Sequence, residues 1–108
     1  MNRDEIPPGT LYLLILKTLA LRGKLHGYEI ADSIQRSSDD VLQVEEGSLY
    51  PALQRMLLKG WVTAEWSQSD TGRRVRLYKV TAAGKKQLDA EITEFDRVMR
   101  AVYKVIEA

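Results

Sequence analysis

The chain has no cysteine, which excludes disulfides, thiol chemistry and any cysteine metal site. Its one histidine, His26, leaves little for metal catalysis or a histidine-activated nucleophile to be built from. No apolar run approaches the ~18 residues that a membrane span needs. The start, MNRDEIPPG, carries no apolar core of the signal-peptide kind, so a reducing, cytoplasmic setting is expected. Glycine-rich phosphate loops are missing too. Together these absences leave no catalytic constellation, and neither an enzyme nor a cofactor is expected.

What is present is an ordinary folded balance: 108 residues, 44% apolar and 29% charged. That length suits one domain with a modest core and one further element. Net charge is only +1, but it is unevenly placed. From Ser48 to Lys86 there are eight bases against two acids, whereas both flanks are acidic. A basic segment between acidic ones is a localised electrostatic footprint of the kind nucleic acid attracts.

PPGTLYLLILKTLALRG predicts a first helix, with Pro7 and Pro8 barring its backward extension and Gly23 ending it. Its leucines and isoleucine wrap nearly all round, so it is expected to be buried on more than one side. HGYEIADSIQRSS predicts a second helix, burying Ile30, Ala31 and Ile34. A third is expected from Leu49 to Gly60, with Ser48 as its N-cap and Pro51 within its first turn. WVTAEWS and RRVRLYKV, joined by QSDTG, read as a two-stranded hairpin. Whether Val75 and Leu77 or Tyr78 and Val80 face its core is open. A last helix starts near Thr81, a good N-cap. The expected fold is α+β, mainly α with a small β-hairpin: a winged helix-turn-helix domain over residues 1–80, then one long C-terminal dimerisation helix over 81–108.

On a helical wheel, Leu49, Ala52, Leu53, Met56 and Leu57 gather on one side of the third helix. Ser48, Tyr50, Pro51, Gln54 and Arg55 gather on the other, with Leu58 a blemish among them. In a helix-turn-helix this is the helix laid in the major groove. Gln54 suits adenine and Arg55 guanine, Tyr50 offers a hydroxyl to phosphate, and a helix N-terminus favours phosphate as well. Lys59 completes the basic set on this helix. Arg73, Arg74 and Arg76 form a basic wing suited to the backbone or a narrow minor groove. Arg76 alone also fits an exposed edge strand guarded by charge. A winged helix used only for protein contacts would show a neutral exposed face and no such wing.

The stretches HGYEI at His26–Ile30, GSLYPALQRM at Gly47–Met56 and GRRVRLYKVTAAGKKQL at Gly72–Leu88 resemble the PadR family of bacterial transcriptional regulators. The resemblance implies a homodimeric repressor that binds an inverted repeat in double-stranded DNA near promoters. It assigns Ser48, Tyr50, Pro51 and Arg55 to the recognition helix and Arg73 and Arg74 to the wing. His26 and Tyr28, also in the motif, are read as shaping the start of the second helix. Larger members continue into a multi-helix domain, whereas this chain looks like the short subfamily with a single terminal helix. On that helix Leu88, Ile92, Phe95, Met99, Val102 and Ile106 step by four, three, four, three and four, the heptad seam of a coiled coil, so a homodimer through it is expected. Some short relatives stack a flat aromatic drug on a tryptophan of the last helix. Here Trp61 and Trp66 both lie at the hairpin, and the last helix offers Phe95 and Tyr103 instead; Phe95 is the candidate contact for a small aromatic effector.

Overall fold

A chain with two helix-rich ends and a β-branched, aromatic middle has to cover a small sheet with helices, and the computed structural model, which describes residues 9–108, does so. Pro7 and Pro8, expected to bound the first helix, lie outside the described residues. The order is α1 (Leu11–Arg22), β1 (Leu25–His26), α2 (Gly27–Ser37), α3 (Glu46–Leu58), β2 (Val62–Gln68), β3 (Arg74–Val80) and α4 (Ala82–Ile106). Gly23, at φ 84°, ends α1 by donating its N–H to the Leu19 carbonyl at 2.9 Å. The start of α2 is held reciprocally. The Glu29 N–H donates to His26 Nδ1 at 3.4 Å, and the His26 N–H donates to Glu29 Oε1 at 3.1 Å, so His26 does shape that helix start.

The sheet has three antiparallel strands in the order β1-β3-β2, not the two of the expected hairpin. The added strand is only Leu25 and His26, opposite Tyr78 and Leu77, too short to show a period in the sequence. It makes β3 central, but its two residues cover only Leu77 and Tyr78, so Arg76, the next residue back along β3, is paired with β2 alone. Lys24 reaches over β3 to donate to Glu65 Oε1 at 2.7 Å, which holds the Glu65 carboxyl below the usual range. The open question about β3 is also decided. Tyr78 and Val80 are buried, while Val75 and Leu77 are half-buried on the other face.

The core joins Ile15, Leu16 and Leu19 of α1 to Ile30 and Ile34 of α2, Leu49, Leu53 and Met56 of α3, and Val62, Tyr78 and Val80 of the sheet. Leu88 belongs to it as well, so it lies in the domain's own core rather than on a free stripe. Beyond Leu88, α4 leaves the domain: no later residue of it is buried, and the molecule extends to 56 Å along its long axis.

The third helix begins earlier than Ser48. The Leu49 N–H donates to the Glu45 carbonyl at 2.9 Å, which closes an α-turn ahead of the proline. Glu45 takes the N-cap position without a side-chain cap, and Ser48 is the third helical residue. Pro51 therefore stands in the second turn, where its missing N–H leaves the carbonyl of exposed Gly47 without that donor. The N-terminus itself carries the exposed carboxylates of Glu45 and Glu46, which oppose a phosphate. These charges counter the attraction of phosphate to this helix end that was expected, and the polar side of the helix stays open.

Candidate nucleic-acid interface

That side is open. Ser48, Tyr50, Pro51, Gln54, Arg55 and Lys59 are all exposed, as is the blemish Leu58, while Leu49, Ala52, Leu53 and Met56 are fully buried beneath them. The wheel assignment therefore holds at each of these positions, and the fifth apolar residue, Leu57, is half-buried. Three-dimensional packing then sends Tyr50 to one flank and Arg55 and Lys59 to the other, while Ser48, Pro51 and Gln54 join neither.

The first group lines a groove of about 520 Å³ between the helices and the wing. Tyr50 enters it from α3, His26, Gly27 and Tyr28 from the start of α2, and Arg73, Arg74 and Arg76 from the wing. Tyr50 lies directly on Gly27, where any Cβ would come within 3.0 Å of its ring and hydroxyl. Glycine at that position lets the two helices approach. The wing arginines are ordered by Trp66, which stands opposite Arg76 in the ladder. The Arg74 and Arg76 guanidinium carbons sit 4.5 and 5.7 Å from its ring centroid. Arg76 also lies over the Tyr78 ring at 6.0 Å, and its Nε is sealed from solvent without a hydrogen-bond partner. Burial pushes the Tyr78 phenol up, with Arg76 beside it acting in the opposite direction. Trp66 is thus a hairpin residue, 58% exposed, whose part in the wing the sequence reading missed. The arginines spaced around it were the available signal.

The second group lies on the other flank of α3. Arg55 Nε donates to the hydroxyl of Tyr12 on α1 at 2.5 Å. Tyr12 in turn packs edge-on against Trp61, with ring centroids 5.5 Å apart, and Lys59, the C-cap residue of α3, lies 5.2 Å from the centre of that indole. Neither Arg55 nor Lys59 lines the groove, so the structure does not bring together all the residues that the sequence grouped as one site.

An exposed polar helix face beside a basic wing is a geometry shared by many proteins, so family comparison is the sharper discriminant. The model described as the transcriptional regulator PadR-like family matches residues 15–90, which span all of the elements just described except the first turn of α1 and α4 beyond Ala90. The chain belongs to the PadR-like family of transcriptional regulators. Like the family, it is a regulator and not an enzyme. A transcriptional regulator from Clostridium thermocellum is 25% identical and superposes with a TM-score of 0.81, covering 89% of this chain and 92% of that one. A PadR family regulator from hypervirulent Clostridium difficile is 28% identical with a TM-score of 0.75, covering 90% of this chain and 98% of that one. An uncharacterised protein of Lysinibacillus sphaericus is 29% identical over 102 residues, 94% of this chain and 93% of its own length. Among the described residues, no helix of this PadR-like chain is long and apolar enough to cross a membrane.

Proposed function

We propose that the protein is a homodimeric repressor that binds an inverted-repeat operator, with α3 in the major groove and the wing on the backbone or in the minor groove. The observation that carries this reading is the groove itself: Tyr50 of α3 and three wing arginines line one opening, as a duplex lying across helix and wing requires. Phosphate contacts would set the register, and Gln54 and Arg55 would read base edges. Residues 1–80 act as the DNA-binding unit and residues 81–108 as the dimerisation helix. In support, the single chain leaves Ile92, Phe95, Val98, Val102 and Ile106 between 37% and 68% exposed along one side of α4, a stripe that needs a partner. A second copy supplies the same stripe, and the two recognition helices would then meet half-sites about 34 Å apart. Phe95 on that stripe is where a small aromatic effector would stack and release the DNA.

The test is binding to the protein's own upstream promoter region against a scrambled duplex, over a range of salt concentrations. A preference of about 10³-fold or more with a steep salt slope is expected. Weak binding that ignores both sequence and salt would reject the reading. The two groups of residues should separate in the same assay. Arg55→Ala is expected to relax base preference at one half-site position by about 1–3 kcal/mol, whereas Arg73→Ala should weaken all sequences alike and flatten the salt slope by about one. Wild-type behaviour in both would remove the assignment.

A further inference from the structure

Two arginines outside the α3 and wing surface are paired with acids: Arg36 with Asp32 at 3.0 Å and Arg97 with Glu94 at 2.6 Å. Arg55 is held differently, by the neutral hydroxyl of a tyrosine. We propose that Tyr12 is a specificity-determining residue of the DNA interface, one that holds Arg55 as a preformed fork for guanine; this rests on the reading that α3 enters the major groove.

A guanidinium has five N–H donors, one on Nε and four on the two Nη atoms. It can grip a pair of acceptors side-on, through Nε and one Nη, or end-on, through both Nη atoms. Tyr12 accepts the Nε–H at 2.5 Å, which withdraws the side-on pair. The end-on pair remains, and two parallel N–H groups match the O6 and N7 acceptors on the major-groove edge of guanine. Because the holding group is neutral, the positive charge that guanine and the nearby phosphates attract is retained.

The anchor is itself fixed. Tyr12 is half-buried on α1, packs against the core and meets Trp61 edge-to-face at 82°, while the Arg55 guanidinium carbon lies 5.7 Å from its ring centroid. A long side chain that would otherwise lose its freedom on binding is therefore ordered beforehand, which raises affinity for a base in one position only.

The experiment is selection of sites from a random duplex library by the wild type, Tyr12→Phe, Arg55→Met and the double variant, with thermal midpoints recorded for each. The wild type should enrich sites with a fixed guanine in each half. Tyr12→Phe keeps the ring and its packing, so the midpoint and the rest of the site should be unchanged, while preference for that guanine falls about five- to tenfold. Arg55→Met keeps a long apolar stem and removes every donor; it should lose the guanine outright, and adding Tyr12→Phe to it should change nothing further. The proposal is overturned if Tyr12→Phe selects the same guanine with equal weight, or if it weakens every site alike, as a structural or phosphate role would. Should Tyr12→Phe fail to fold, retention of the guanine by Arg55→Met overturns it by itself. A wild type that enriches no site removes the DNA reading and this proposal together, an outcome distinct from a wild type that enriches sites lacking any fixed guanine, which removes this proposal alone.

Discussion

Val102→Glu should give a folded monomer that binds an inverted repeat at least about 10²-fold more weakly than the wild type, because the second half-site is no longer delivered by a linked partner. Val102 is 40% exposed in the single chain, well clear of the domain core, so the domain has no reason to unfold. Glutamate is a good helix former, and α4 should remain helical. In the proposed dimer, however, Val102 sits on the seam with Phe95, Met99 and Ile106, and the symmetry places the substitution there twice. Each copy loses about 1.5–3 kcal/mol of apolar burial and brings a charge into a desolvated contact. Ala101 offers the control. It lies beside Thr93, Asp96, Arg97, Arg100 and Lys104 on the polar side of the same helix, and Ala101→Glu should leave a dimer with unchanged operator affinity. Sedimentation equilibrium with a DNA titration checks both. A Val102→Glu protein that stays dimeric would show that the stripe is covered by something other than a second copy.

The elements legible in the sequence were those whose signal is periodic and local. The alternation of Leu49, Ala52, Leu53 and Met56 with polar neighbours located the buried side of α3, and all four are at most 1% exposed. Thr81 was legible as a cap because capping needs only a hydroxyl three residues before a free N–H; it accepts from the Gly84 N–H at 3.0 Å. The start of α3 was misread because a proline and a serine together are the usual signature of a helix N-terminus, whereas here the backbone closes a turn before them. Strand β1 was invisible because its two residues acquire strand geometry only by pairing with β3, fifty residues away. The division of the site had the same cause. Arg55 and Tyr50 are neighbours on one helix, but their partners, Tyr12 and Gly27, lie on different elements, and nothing in local spacing announces such contacts. Leu88 fits the heptad step of the α4 stripe as well as Ile92 does, and only the packing of the start of α4 against α1 and β3 separates core from seam.

That junction carries the second large effect. By helix propensity alone, Gly84→Ala, at the third residue of α4, should stabilise the protein by about 0.5–1 kcal/mol. The surroundings reverse the sign. A Cβ on Gly84 would overlap the Trp61 carbonyl oxygen and come within 2.7 Å of Val80 Cγ2. Neither neighbour is free to give way. The Trp61 carbonyl already accepts the Thr81 N–H at 3.0 Å, and the Thr81 hydroxyl donates to the Gly60 carbonyl at 2.7 Å, so the cap of α4 is tied to the backbone just before β2 by two hydrogen bonds. Val80 is buried in the core. Overpacking against fixed backbone lies at the upper end of the usual range, so a net loss of about 3 kcal/mol is expected, read as a lower urea midpoint at unchanged slope. The only relief open to the variant is for α4 to tilt away from β2. Since α4 is the proposed link between protomers, that tilt moves one recognition helix relative to the other. Whatever dimer survives should then prefer half-sites at an altered separation, found by titrating operators with inserted or deleted base pairs. A Gly84→Ala protein as stable as the wild type would mean that α4 does not dock on the Trp61 carbonyl, and a destabilised one with unchanged spacing preference would detach the DNA geometry from the angle of α4.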